Sequence, residues 1–471
     1  MVLDKPEPNQ VLGIKGSGGK LNQETFSRLF RTAQEAGSVP VIADLYSPST
    51  SAFTERDGAA RQRDIAEAQR DILTSLSGGA ISNIKQFQSV LQISLNVDAA
   101  GLMALRENPL VRQIWLDTPH PVSLLEAVPL ARGNMAWVAG YTGLGQTVAI
   151  LDTGVDKAHP FLAGKVVSEA CYSSNSAPGA GSVGGSASLC PGGISSSTSD
   201  GSGVNCAASY RGCEHGTHVA GIAAGKGPGG SENNGMAKDA NIIAIQVYSG
   251  FTAADCGGGS PCVMAWDSDI IAGLDRVYAL RATYKIASVN ISLEGGEYTT
   301  FCDDAAGALK HSMDNLRAAG VATVISAGNG HQFNAISSPG CVSSAVSVGS
   351  VCDNAIPGAC ATGVDGVASY SNVAGFMSLL APGSAITSSV PGGLYASGSG
   401  TSFAAPMVTG AWALMKQAVP AMTVSQGLSA LRATGEEVKD ARVGGVVTGM
   451  RRINVNDAIL NLKGDGASRE K

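Results

Sequence analysis

Four short motifs hold the residues best suited to chemistry. Ser402 stands in GTSFAAP (400–406), just ahead of a stretch that reads as a helix. Such a serine has two readings. As a helix cap, its hydroxyl accepts a hydrogen bond from an unpaired first-turn amide. As a nucleophile, it attacks a carbonyl whose developing negative oxygen the helix-start amides can hold, with Gly398 and Gly400 leaving room for a substrate. The second reading needs a base and an acid to orient it. His215 opens HGTHVAG (215–221), and Asp152 ends TVAILD (147–152), where an apolar run gives way to TGVD. Asn329, in SAGNG (326–330), is either a turn former or an amide donor facing a cleft.

Two rival chemistries fit these residues less well. An aspartic protease needs two aspartates sharing one site, and no second Asp-Ser/Thr-Gly occurs in a matching context beside Asp152-Thr153-Gly154. A zinc protease needs histidines four apart with a glutamate between them. His215 and His218 are three apart and enclose Gly216 and Thr217, so His218 reads as a core histidine.

The elements that must position these groups are apolar strands alternating with helices. QTVAILDTG, NIIAIQVYSG, ASVNISLEGG and VATVISAGNG are near-continuous apolar runs ending in glycine or polar residues, as expected of a parallel sheet. DSDIIAGLDRVYALRATY places Ile270, Leu274 and Val277 at helical spacing, and DDAAGALKHSMDNLRAAG does the same with Leu309, Met313 and Leu316. This order predicts a doubly wound, mostly parallel α/β fold, which takes ligands at the carboxyl ends of its strands. Ahead of it the grammar differs. Residues 1–20 read as a loose segment. From about Leu21 the order helix, then β-α-β-β-α-β predicts a small ferredoxin-like α+β domain ending near Asp117, followed by the linker TPHPVSLLEAVP (118–129).

Composition narrows the classes. With 471 residues, 44% hydrophobic, 61 glycines and 15% charged, the chain suits a large globular domain and a smaller one, rich in tight turns. A net charge of -6 gives no footprint for nucleic acid. No apolar run of about 18 residues suggests a membrane span. The start MVLDKPEPNQ has no apolar core of a signal peptide, so a signal is expected to have been removed. All ten cysteines lie between Cys171 and Cys360, without paired C-x-x-C knuckles. The even count fits disulfides better than zinc and points to an oxidising compartment, with buried free thiols as the alternative and Cys256 and Cys262 near enough to close a small ring. The Gly/Ser-rich segment of about 172–212 reads as a surface insertion.

GYTGLGQTVAILDTGVD, HGTHVAG, VNISL, ISAGN and GTSFAAPMVTG, in that order from about Gly140 to Ala458, resemble the subtilases, serine endopeptidases of the subtilisin type. The resemblance implies Ser402 as nucleophile, His215 as base, Asp152 as its orienting acid, and Asn329 with the Ser402 amide as the oxyanion hole. It implies that an extended peptide lies between two edge segments, one around Gly250 and one at Ser292, Leu293, Glu294 and Gly295. Glu294 departs from the family's usual glycine; either it sets a carboxylate near the specificity pocket, favouring Lys or Arg before the scissile bond, or it points into water. No cofactor is required for the chemistry. Structural calcium is the family's habit, but Phe161 stands where an aspartate is usual, which leaves Glu232, Asn233 and Asn234 as candidate oxygen ligands. The first domain resembles the family's inhibitor-like prodomains, which implies boundaries of 21–123 for a prodomain and 124–471 for the peptidase.

The expectation is therefore a secreted or periplasmic serine endopeptidase, made as a self-processing proenzyme. Its partners would be polypeptide substrates and its own prodomain, not nucleic acid or membrane. The alternative is a catalytically silent fold of the same type acting as a binding module.

Overall fold

The computed structural model describes residues 23–47, 58–76, 80–86, 91–116, 124–176, 185–228, 233–258, 260–353, 360, 363–440, 442 and 446–464. They form two compact units, Met1–Pro121 and Val122–Lys471. The expected loose segment 1–20 and the junction near Ser123 lie outside the described residues.

In the first unit, four antiparallel strands lie in the order Ile81–Gln86, Gln92–Val97, Val39–Leu45, Val111–Leu116. With the helices Gly58–Ser75 and Ala99–Glu107 this is the ferredoxin-like order, preceded by the helix Gln23–Ala36. Val39, Val41 and Ala43 are buried while the residues between them are half-exposed, the period of two expected when a strand covers a core on one face. Val41, Ile93, Leu95 and Ile114 meet Phe26, Leu29, Ile72 and Leu102 from the helices. Asp98 starts the third helix by accepting the Gly101 amide at 2.7 Å.

The second unit is built on a ten-stranded sheet. Eight neighbouring strands run parallel: Val446–Arg452, Leu379–Pro382, Val346–Val351, Ala322–Ser326, Ile286–Ile291, Thr147–Asp152, Asn241–Gln246 and Val166–Tyr172. Antiparallel Glu436–Asp440 and Ser196–Ser197 close its two ends. Every residue of Thr147–Asp152, Ile286–Ile291 and Ala322–Ser326 is buried, because helices cover both faces. Val148 and Ile150 pack towards the helices His215–Ala224 and Thr401–Ala418. Ala149 and Leu151, pointing the other way, pack with Asp267–Leu280 and Gly307–Ala318. Fully burying an aliphatic side chain of this kind is worth about 1.5–3 kcal/mol.

One predicted strand proves to be two. NIIAIQVYSG divides into Asn241–Gln246, in the large sheet, and Tyr248–Phe251, in a separate three-stranded sheet. The Gln246 side chain makes the corner: its amide donates to the Tyr248 carbonyl at 2.9 Å and its oxygen accepts the Tyr248 amide. The cysteines form five disulfides, Cys171–Cys190, Cys206–Cys213, Cys256–Cys262, Cys302–Cys341 and Cys352–Cys360, all inside this unit. The free-thiol alternative is thereby set aside.

Candidate active site

Chain order places the first strand of the large sheet, Thr147–Asp152, between Asn241–Gln246 and Ile286–Ile291. It is there that the connections diverge to opposite sides, so a crevice opens beyond the carboxyl ends of these strands. Asp152 is the last residue of its strand and is fully buried. Its carboxylate accepts the Thr153 amide at 2.8 Å, and Nδ1 of His215 lies 2.9 and 3.0 Å from its two oxygens. A carboxylate can only accept, so Nδ1 carries the proton and Nε2 is left with a lone pair, the tautomer a general base needs.

His215 is the first residue of its helix, and the residue ahead of it, Glu214, provides no side-chain cap. Thr153 does so from the neighbouring strand, its hydroxyl accepting the Gly216 amide at 2.9 Å. A Cβ on Gly216 would come within 2.4 Å of the Gly154 carbonyl, so only glycine lets helix and strand approach this closely. Burial works against protonation of His215. The charge and hydrogen bond of Asp152, with Glu214 adding to them, outweigh it and raise the pKa above the ordinary value.

His218 behaves in the opposite way. Its Nε2 donates to the Ala396 carbonyl at 2.9 Å, its Nδ1 is buried without a partner, and burial pulls its pKa down to about 4. It is a neutral core histidine, packed on the Phe403 ring at 4.5 Å between centroids.

Ser402 is the second residue of the helix Thr401–Ala418, whose N-cap is Gly400. The capping reading of this serine therefore fails, and its hydroxyl makes no hydrogen bond among the described residues. The adjoining Phe403 ring lies 5.6 Å from that of His215, which brings the helix start beside the imidazole. Pro406 sits four residues on, and lacking an N–H it leaves the Ser402 carbonyl without its intrahelical donor. Ser292 Oγ donates to that carbonyl instead, at 2.8 Å. Asn290 holds Ser292 through its amide at 2.8 Å, and itself accepts from Thr409 of the same helix at 3.1 Å. Thr153, Asn290, Pro406 and Thr409 were not singled out from the sequence. All four lie inside quoted motifs, and the missing N–H of a proline four residues after a serine is the signal that points to a substitute donor.

Asn329 follows the strand Ala322–Ser326. Its Oδ1 accepts the Thr401 amide at 2.9 Å and the Thr401 hydroxyl at 3.2 Å, so the orientation of its amide is fixed. Its backbone N–H and Nδ2 both donate to Oε2 of Glu294, at 2.7 and 3.3 Å. Glu294, though exposed to solvent, thus points its carboxylate at Asn329.

The expected peptide-binding edge at Gly250 is wrong. Gly250 lies on the central strand of the small sheet, paired with Val263 on one side and Ala187 on the other. A Cβ there would meet the Tyr210 ring at 2.5 Å. With both ladders filled it has no backbone groups to offer; the outer strands of that sheet are Cys262–Ala265 and the two-residue Ala187–Ser188. On the opposite segment, the hydroxyl of Ser292 is committed to the helix, the Leu293 carbonyl accepts from Ser326 at 3.0 Å, and the Gly295 amide donates to Ser338 at 2.7 Å.

Phe161 is buried core, Glu232 lies outside the described residues, and the Asn234 side-chain oxygen accepts the Gly227 amide at 3.0 Å. Elsewhere the Lys157 ammonium bridges the carboxylates of Glu169 and Asp200 at 2.6 Å each.

Residues 143–458 match the Subtilase family, and the chain belongs to it. It is 31% identical over 380 residues to alkaline serine exoprotease A of Vibrio alginolyticus, covering 76% of this chain and 59% of that protein. It is 37% identical over 231 residues to an extracellular serine proteinase of Thermus sp. strain Rt41A, covering 48% and 47%. The chain thus spans less than two thirds of the length of these two relatives. Subtilisin NAT of Bacillus subtilis subsp. natto is 28% identical, with 79% of this chain and 81% of that protein covered. A solved protease from Pseudoalteromonas arctica PAMC 21717 has the same fold, with a TM-score of 0.52 at 24% identity over 72% of this chain and 94% of that one.

Proposed function

We propose that this chain is a secreted serine endopeptidase that cleaves peptide bonds through an acyl-enzyme and is made as a self-processing proenzyme. The observation that carries the reading is the buried Asp152 carboxylate gripping His215 Nδ1 beside the start of the Ser402 helix. In the cycle, His215 Nε2 takes the proton of the Ser402 hydroxyl as its oxygen attacks the scissile carbonyl. The negative oxygen of the tetrahedral intermediate receives the Ser402 backbone N–H, at the positive end of its helix, and Nδ2 of Asn329. His215 then delivers the proton to the leaving amine. Water repeats the sequence on the acyl ester and frees Ser402. Asp152 keeps the imidazole in its working tautomer throughout.

The outer strand Cys262–Ala265 is bridged by Arg211 at Cys262 and offers the rest of its edge to the residues before the scissile bond, so that main-chain pairing binds many sequences. Leu293, Glu294 and Gly295 would flank the peptide on its other side. Residues 21–123 serve as the inhibitor-like prodomain. Five disulfides, together with extracellular relatives, favour secretion. The test is hydrolysis of an unstructured polypeptide by wild type and by Ser402→Ala. Turnover is expected in the first, with and without chelator, and is expected to be lost in the second; Ser402→Ala with near-wild-type turnover contradicts the reading. A wild type that binds the polypeptide without cutting it is instead a binding module.

A further inference from the structure

The donor assigned to the oxyanion is already in use. Nδ2 and the backbone N–H of Asn329 both point at one oxygen of Glu294, at 3.3 and 2.7 Å. Asn329 cannot turn away, because Thr401 holds its Oδ1 through two hydrogen bonds. Glu294, by contrast, is exposed, and among the described residues no lysine or arginine pairs with it. Among the described residues its polar partners are the two donors of Asn329. Nδ2 carries two hydrogens and directs one at Glu294, but a second anionic oxygen brought to the same amide is repelled by the carboxylate already there. When a substrate carbonyl becomes an oxyanion at Asn329, the side chain free to leave is that of Glu294.

We propose that Glu294 is a displaceable stopper: in the resting enzyme its carboxylate occupies the Asn329 donor, and productive substrates must drive it out into solvent. This rests on the assignment of Asn329 to the oxyanion hole. The stopper imposes a competition on every substrate, since part of the binding energy of the peptide is used to expel the carboxylate before the reacting carbonyl can be seated. A cation on the substrate near the scissile bond would hold the displaced carboxylate and ease the exchange, so the competition falls hardest on uncharged peptides.

The experiment measures kcat/KM on a peptide with an uncharged residue before the scissile bond, and the affinity of a matching peptidyl boronic acid, whose anionic adduct uses the same donor. Glu294→Ala is expected to raise kcat/KM about fivefold and to tighten boronic acid binding by a similar factor, the scale of one exposed charge-assisted hydrogen bond. Glu294→Gln, which keeps the shape and removes the charge, is expected to gain in both measurements by a smaller factor, and it decides the matter if the alanine variant does not fold. A folded variant with unchanged or lower values overturns the stopper. Fluorophosphonate labelling of the wild type separates the two levels. A wild type that labels, with no gain in the variants, loses the stopper alone. A wild type that fails to label loses the peptidase reading and the stopper with it.

Discussion

At the scale of single residues, the two histidines of HGTHVAG have the same side chain and opposite fates. His215 is bound to a buried carboxylate, and its proton is held more tightly than in the unfolded chain. His218 is buried against Phe403 and the Ala396 carbonyl and resists protonation down to about pH 4. In the unfolded chain it titrates near 6.5, so between those values the unfolded state binds the extra proton and the folded state does not. Its contribution to stability is complete above about pH 6.5 and is lost as the pH falls towards 4, for a total of about 3 kcal/mol. Urea unfolding of Ser402→Ala protein, which cannot digest itself, is expected to show this loss between pH 7 and pH 4, and a much shallower slope once His218→Asn is added. Equal slopes would contradict it. Asp152 and His215 stood out because one closes and the other opens a motif with its own composition, and the structure brings the two together. The division of labour between the histidines was legible only in part: spacing argued against zinc, but what pins each ring is a partner distant in sequence, Asp152 for one and Ala396 for the other.

At the scale of elements, the decisive feature of the Ser402 helix is a missing donor. Pro406 removes the N–H that would bond the Ser402 carbonyl, and Ser292, at the end of a different strand, replaces it. Ser292→Ala leaves that carbonyl unsatisfied and is expected to cost about 1–3 kcal/mol. Pro406→Ala restores an intrahelical donor, so in that background the same serine substitution should cost at least about 1 kcal/mol less. A double-mutant cycle by urea unfolding measures the difference. Strictly additive costs would show that the two residues do not share the carbonyl. The parallel strands themselves were readable as unbroken apolar runs, since burial on both faces removes the polar alternation. What the sequence could not separate was a strand in the middle of a small sheet from one at its edge. Tyr248–Phe251 is as apolar as an edge facing a ligand would be. Its neighbours Cys262–Ala265 and Ala187–Ser188 come from segments rich in glycine, serine and cysteine, which carry little strand signal.

At the scale of the whole molecule, the cysteines and the two units divide in the same way: all five disulfides belong to the second unit and none to the first. If residues 21–123 act as the proposed prodomain, the uncross-linked unit is the one removed. The strand Val39–Leu45 and the helices Gly58–Ser75 and Ala99–Glu107 lie where the β-α-β-β-α-β order was read from the sequence. Of the linker read over 118–129, residues 118–123, with Pro119 and Pro121, lie outside the described residues, while Leu124–Leu130 is a helix rather than linker, so the position of the cut rests on sequence alone. Purified wild type is expected to begin between about Thr118 and Val128, with Ser402→Ala remaining uncut, and the separately produced first unit should inhibit the mature enzyme. N-terminal sequencing and an inhibition titration check this. A fully active wild type with its N-terminus intact would make the first unit a permanent accessory domain.

The central claim is that the Asp152–His215 pair activates Ser402, and the rate of fluorophosphonate labelling, followed by mass spectrometry across pH, tests it most directly. His215 must be neutral to accept the serine proton, and its raised pKa delays that state to higher pH. Labelling is therefore predicted at Ser402 alone, rising with pH to a half-maximum above about 6.5, and abolished in His215→Ala. Labelling that is absent, that falls on another residue, or that persists unchanged in His215→Ala would contradict the account.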